Sequence, residues 1–188
     1  MKSIINQLFI FSLIFTFLIS CSNSNKFTVD KGKIGDITSK TTIKDLKNIF
    51  SKDSIVSTLS EGALGDNYFQ DDDKYKIYEK GGKHLLTIIP KEQLDSTSTI
   101  KSIEIHDSRF HTKENISLNS NFSEINAFNN KIRVESTLQS VTLFLDDINA
   151  TIAINKEELG LSSFSPQKVS LEQIPDLARM KSFVIWFD

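Results

Sequence analysis

Apolar positions fall into three patterns along this chain. From Ile4 to Ile19 they run almost unbroken, through Leu8, Phe9, Ile10, Phe11, Leu13, Ile14, Phe15, Phe17 and Leu18. At Ile43, Leu46, Ile49 and Phe50, and again at Phe122, Ile125 and Phe128, they recur at helical spacing. Elsewhere they alternate with polar residues, the period of a strand with one buried face. That alternation predicts strands over residues 54–59, 74–79, 84–89 and 99–105, then over 131–137, 140–145, 149–154 and 180–187. Gly81-Gly82 and Asp146-Asp147 sit where hairpin turns belong. Ahead of the two helical patterns, Thr41 or Thr42 and Ser120 suit N-caps, because a side-chain oxygen accepts from the free amides of a first turn. Asp45 and Glu124 then lie near the positive end of the helix dipole. Each helix is expected to run for about three turns.

The patterns repeat. Residues 37–49 and 116–128 share the form I-[S/T]-x-[K/N]-[S/T]-x-[I/F]-x-[D/E]-[L/I]-x-x-[I/F]. Residues 90–95 match 155–160, and residues 100–105 match 180–185, in the same order in both halves. The expected fold class is therefore α+β: two tandem repeats of a short helix plus a four-stranded antiparallel meander, their sheets joined and the helices on one face. The boundaries read as 1–20 for the leader, 21–31 for the tether, 32–110 for the first repeat and 111–188 for the second. Two longer connections, 60–73 and 160–179, absorb the length differences, the second carrying Pro166 and Pro175.

The leading apolar run is shorter than the roughly 20 residues of a spanning helix, contains Asn6 and Gln7, and ends at Ser20-Cys21. Behind Lys2 it has the layout of an export signal. Leu18-Ile19-Ser20-Cys21 resembles the bacterial lipobox, with Cys21 the only cysteine in the chain. The resemblance implies cleavage before Cys21, a diacylglyceryl thioether on its sulfur and acylation of the new amino terminus. Two or more acyl chains hold a protein stably on a bilayer, where one holds it marginally. The implied site is the cell envelope, and Ser22 after the cysteine implies, by enteric sorting rules, the outer membrane facing the periplasm. Ser22 to Lys26 is polar and reads as flexible. The duplicated pattern, opened by Gly32-Lys33-Ile34-Gly35-Asp36-Ile37-Thr38, resembles uncharacterised lipoproteins of Gram-negative bacteria. Its arrangement is similar to the β-lactamase inhibitory protein architecture, and the resemblance implies no catalytic residue.

Composition narrows the function. The formal net charge is −2, with no basic excess to follow a phosphate backbone, so nucleic acid is not an expected partner. With Cys21 lipidated no disulfide remains, and stability rests on packing. The densest polar cluster, His106-Asp107-Ser108-Arg109-Phe110-His111, offers imidazole and carboxylate but lacks a second cluster to complete a metal set. It reads as a polar connection. Asp71-Asp72-Asp73 lacks the alternating ligands and central glycine of a calcium loop, and His84 at a strand start reads as structural. No nucleophile-elbow motif supports a hydrolytic triad. No enzyme activity, metal or cofactor is expected.

One asymmetry points to a surface. Along 180–187 the period of two places Phe183, Ile185 and Phe187 toward the core and Val184 and Trp186 away, where residues 103–106 present Glu104 and His106. Along 140–145, Val141, Leu143 and Leu145 take the core face and Phe144 points away. Phe144, Val184 and Trp186 form a candidate partner-binding patch, unless residues 160–179 fold over it. The expected function is a membrane-anchored, non-catalytic protein-interaction module. The alternative is a lipid- or small-molecule-binding lipoprotein with an apolar pocket beneath the 160–179 connection.

Overall fold

The structure, a computed structural model, describes residues 26–60, 72–128 and 131–187. Cys21 and residues 1–20, expected above to be an export signal, lie outside the described residues. Three short strands open the body: β1 (Val29–Asp30), β2 (Lys33–Ile34) and β3 (Ile37–Thr38). The Gly-x-Ile-Gly-x-Ile phrase explains them. Gly32 and Gly35 take positive φ in the two turns, and Ile34 and Ile37, each two residues after one of them, drop into the core. At Gly35 a Cβ would come within 2.5 Å of the Lys26 carbonyl oxygen, so only glycine lets the entering chain pass there. The segment read as a tether thus already belongs to the fold from Phe27 onward, with Val29 buried and Phe27 edge-on to the buried Phe110 ring at 5.0 Å.

A 3-10 turn (Ile43–Asp45) leads into α1 (Leu46–Ile49), and α2 (Phe122–Phe128) comes much later. The Asp45 carboxylate accepts from the Thr42 amide at 2.9 Å, and Glu124 accepts from the Asn121 amide at 3.0 Å. Asn121, rather than Ser120, completes the second cap, its side-chain oxygen accepting from the Glu124 amide at 3.0 Å. Both helices are shorter than the periodicity predicted. Thr41, Thr42 and Ile43 are β-branched and stiff, and so short a helix forms only where its apolar stripe packs.

Eight strands build one antiparallel sheet: β4 (Ser54–Thr58), β5 (Lys74–Tyr78), β6 (His84–Pro90), β7 (Ile100–Ile105), β8 (Ile132–Ser136), β9 (Ser140–Leu145), β10 (Ala150–Asn155) and β11 (Met180–Trp186). Their order is β4-β5-β6-β7-β11-β10-β9-β8, joined in the middle where Ile103 of β7 faces Ile185 of β11. The expected α+β class of two helix-plus-meander repeats is corrected by this architecture. The described residues are mostly β, with two short α-helices among them, the eight-stranded sheet and a second, three-stranded sheet for which that scheme had no place.

The sheet has two unlike faces. Ile77, Leu86, Ile105, Phe183, Ile152 and Leu143 stand in register across six strands and are all buried. They join one continuous core with Ile34, Ile37, Leu46, Phe122 and Ile125. So β1–β3 and both helices cover this face. The opposite face carries the alternate residues.

Candidate functional site

Register assembles the open face from residues remote in sequence. Lys76, Thr87, Glu104 and Val184 face one another strand by strand from β5 to β11. The same row continues through Thr151 on β10 and Phe144 on β9 to Arg133 on edge strand β8. Two chemically different clusters lie along it.

The first is aromatic and cationic. Trp186 donates its indole N–H to Thr151 Oγ1 at 3.0 Å, and the Arg133 guanidinium lies 4.4 Å from the centre of the Phe144 ring. These four residues, with Asp146 and Asn149, line a shallow depression of about 260 Å³. Trp186 is 36% exposed, whereas Phe144 and Val184 are half-buried. All three candidate patch residues therefore lie on one face, with Val184 and Phe144 separated only by Thr151.

The 160–179 connection goes elsewhere. Val169, Ile174 and Ala178 are buried in the core cluster, and the Ala178 carbonyl accepts from the Phe122 amide at 2.9 Å. The segment wraps the β8 edge, where the Val169 amide donates to Ser136 Oγ at 2.9 Å, and lies on the helix side. It is tied down by Lys156, whose side chain is fully buried and whose ammonium donates to the carbonyls of Ser165 and Gln167. The cavity beside the connection is about 160 Å³, with Gln139, Asn155, Glu157 and Lys181 in its wall. A larger one of about 370 Å³ lies beside α1, over Ile34, Leu86 and Phe110, with Lys26 and Asp53 paired at 3.1 Å on its lining.

The second cluster is a stack of rings. Tyr78 lies on His84 with ring centres 4.7 Å apart, and His84 lies on His106 at 3.9 Å. His84 Nε2 is 3.1 Å from the Leu86 carbonyl and 3.2 Å from Thr87 Oγ1, so that nitrogen carries the proton. Thr87 Oγ1 also lies 2.9 Å from His106 Nε2, so one hydroxyl links the two imidazoles. Burial lowers both imidazole pKa values from the usual range. The neighbouring ring and Lys76 depress His106 further, against the opposing pull of Glu104 at 3.6 Å.

The polar cluster of residues 106–111 is taken apart by the fold. His106 joins the ring stack, His111 Nδ1 donates to the Arg109 carbonyl at 2.7 Å, and Asp107 is buried. Burial would raise the Asp107 carboxyl, but hydrogen bonds from the Arg109 side chain and amide and from Lys83 outweigh it and hold it at about 2. Arg109 also clasps Glu79 at 3.1 and 2.8 Å. Asp73 is likewise buried, accepting from the Ser60 and Leu94 amides at 2.7 and 2.6 Å. These are structural straps. Among the described residues no three His, Cys, Asp or Glu side chains converge as a metal site. Sequence reading missed the Thr87 link between the two imidazoles and the buried lysine. The first needs strand register, and the second has the polarity of an ordinary surface residue.

No protein-family profile and no curated protein sequence matches this chain. Its fold is similar to the crystal structure of the uncharacterised protein yfeY from Escherichia coli. The TM-score is 0.56 at 14% identity, over 86% of this chain and 99% of that one.

Proposed function

We propose that this chain is an envelope lipoprotein, anchored through Cys21, that binds another protein on the open sheet face and performs no catalysis itself. The observation carrying this reading is the contrast between the two faces. Among the described residues, helices and strands cover one face, while the other carries the half-buried Phe144 and Val184 and the exposed Trp186. Eight strands at about 4.8 Å spacing, each five to seven residues at about 3.4 Å rise, make a face of roughly 700 Å². A partner in a standard interface contributes about 800 Å². Tryptophan and arginine are the residues that most often dominate binding energy in such surfaces, and here Trp186 and Arg133 flank one depression. The lipobox supplies the membrane, and the absence of a recognisable catalytic motif supports the non-enzymatic reading.

The test places a photo-crosslinking amino acid at Trp186 in the full-length chain in the producing cell, with the same group at exposed Lys47 on α1 as control. A discrete protein adduct from position 186, absent from 47 and lost on adding Phe144→Lys, is expected. No adduct, or equal adducts from both positions, overturns the reading. The anchor is tested separately: Cys21→Ser leaves the membrane fraction and escapes processing, and a variant still retained there refutes lipidation.

A further inference from the structure

The two edges of the large sheet are unequally protected. Edge strands expose unpaired amides and carbonyls, and natural sheets guard them with charges, proline, bulges or a covering segment. On β8, Arg133 and Glu135 supply charges, and the Val169 amide bonds to Ser136 beside it. On β4 the residues are Ser54, Ile55, Val56, Ser57 and Thr58, with no charge and no proline, and the pairing with β5 contains no bulge. Among the described residues β5 is the strand that pairs with β4. Val56 is 51% exposed, and Leu59 just beyond is 50% exposed.

An edge of this kind recognises an extended backbone. We propose that β4 is a strand-addition site for a second copy of this chain, pairing antiparallel with its counterpart about a two-fold axis through Val56. The sequence is self-complementary in that register. Val56 faces Val56, Ile55 faces Ser57 and Ser54 faces Thr58, the last a hydroxyl pair that can hydrogen-bond across antiparallel strands, and no like charges meet. Charge does not oppose it. The lysine beside Val56 is Lys76 on β5. The two copies of Lys76 would stand about three strand spacings, roughly 14 Å, apart, beyond the ~8 Å screening length at physiological salt. The same pairing at β8 would bring charged edge residues together. Joined at β4, two chains form one continuous sheet whose open faces lie side by side. Pairing over five residues buries far less than the ~1,200 Å² of a stable complex, so the dimer exchanges and needs trapping.

A disulfide supplies the trap. Facing residues in an antiparallel pair have Cα atoms about 4.5–5.5 Å apart, within the 4.4–6.8 Å range that a disulfide spans. Full-length protein carrying Val56→Cys is oxidised with copper phenanthroline and run without reductant, beside Arg133→Cys and wild type, which controls for Cys21. The expected result is a cross-linked dimer from Val56→Cys at ten or more times the yield of the other two. Sedimentation of otherwise unaltered protein gives the second readout, with Val56→Lys weakening self-association at least tenfold. Monomer from Val56→Cys, equal yields in all three lanes, or unchanged association of Val56→Lys overturns the proposal. Val56 lies on β4, four strands from Val184 and Trp186 on β11, so Val56→Cys and Val56→Lys leave that cluster in place and their outcome is separable from the partner reading.

Discussion

Replacing Asp107 with asparagine tests the electrostatic account where its magnitude is best defined. The Asp107 side chain has no solvent exposure and accepts from Arg109 Nε at 2.9 Å, from the Arg109 amide at 2.9 Å and from Lys83 at 3.1 Å. Through Arg109 it is linked to Glu79, and the guanidinium lies 4.5 Å from the centre of the Phe27 ring. One carboxylate thus joins the end of β5, the β5–β6 turn and the entering chain. Its pKa falls from 3.8 to about 2, which corresponds to a stabilisation on the order of 2 kcal/mol at neutral pH. Because the folded pKa is depressed, that stabilisation is complete above pH 4 and disappears as pH falls toward 2. Urea denaturation should find Asp107→Asn less stable by about 2 kcal/mol at pH 7, or roughly 4–8 °C in melting temperature. The gap between the two proteins should shrink to about half by pH 3. A gap that does not change with pH would assign the loss to packing and refute the electrostatic reasoning, as would a gap below about 0.5 kcal/mol at pH 7.

Other residues give further tests. Lys156→Ala removes a buried side chain and leaves the Ser165 and Gln167 carbonyls without their donor. It should cost about 3 kcal/mol in urea and open the 160–170 segment to limited proteolysis, and an unchanged digestion pattern would refute the strap. In proton NMR titrations His84 and His106 should both titrate below 6.5, and His84→Gln should move His106 upward. Since their folded pKa values are depressed, their contribution to stability is full above pH 6.5 and is lost as pH falls through the folded values. A wild-type His106 that titrates at or above 6.5 would contradict the stacked arrangement.

How far the fold could be read from sequence depended on the range of the interaction. The strand positions were legible because alternation is local: β9 begins and ends where the pattern of Ser140 to Leu145 predicted, and β6 and β11 lie within a residue. Helices were over-read, because Ile43, Leu46 and Ile49 carry a helical stripe that the surrounding β-branched residues and the turn after Phe50 hold to a single 3-10 and α segment. The three-stranded sheet escaped notice because strands of two residues have no period to detect, although Gly32 and Gly35 marked its turns. Of the candidate site, the facing of Phe144, Val184 and Trp186 followed from alternation alone. That Thr151 stands between two of them, and that His84 stacks on His106 across 22 positions of sequence, required the register between strands. The route of the 160–179 connection was equally hidden, since it is decided by where Val169, Ile174 and the buried Lys156 find partners.

Trp186 is the chain's only tryptophan, so its fluorescence reports on the open face alone. The account predicts that acrylamide quenches the folded protein readily and that emission lies toward the red, as for an indole about a third exposed. A blue-shifted, poorly quenched signal that becomes accessible only on unfolding would show the face to be covered, and would contradict the claim on which the proposed docking surface stands.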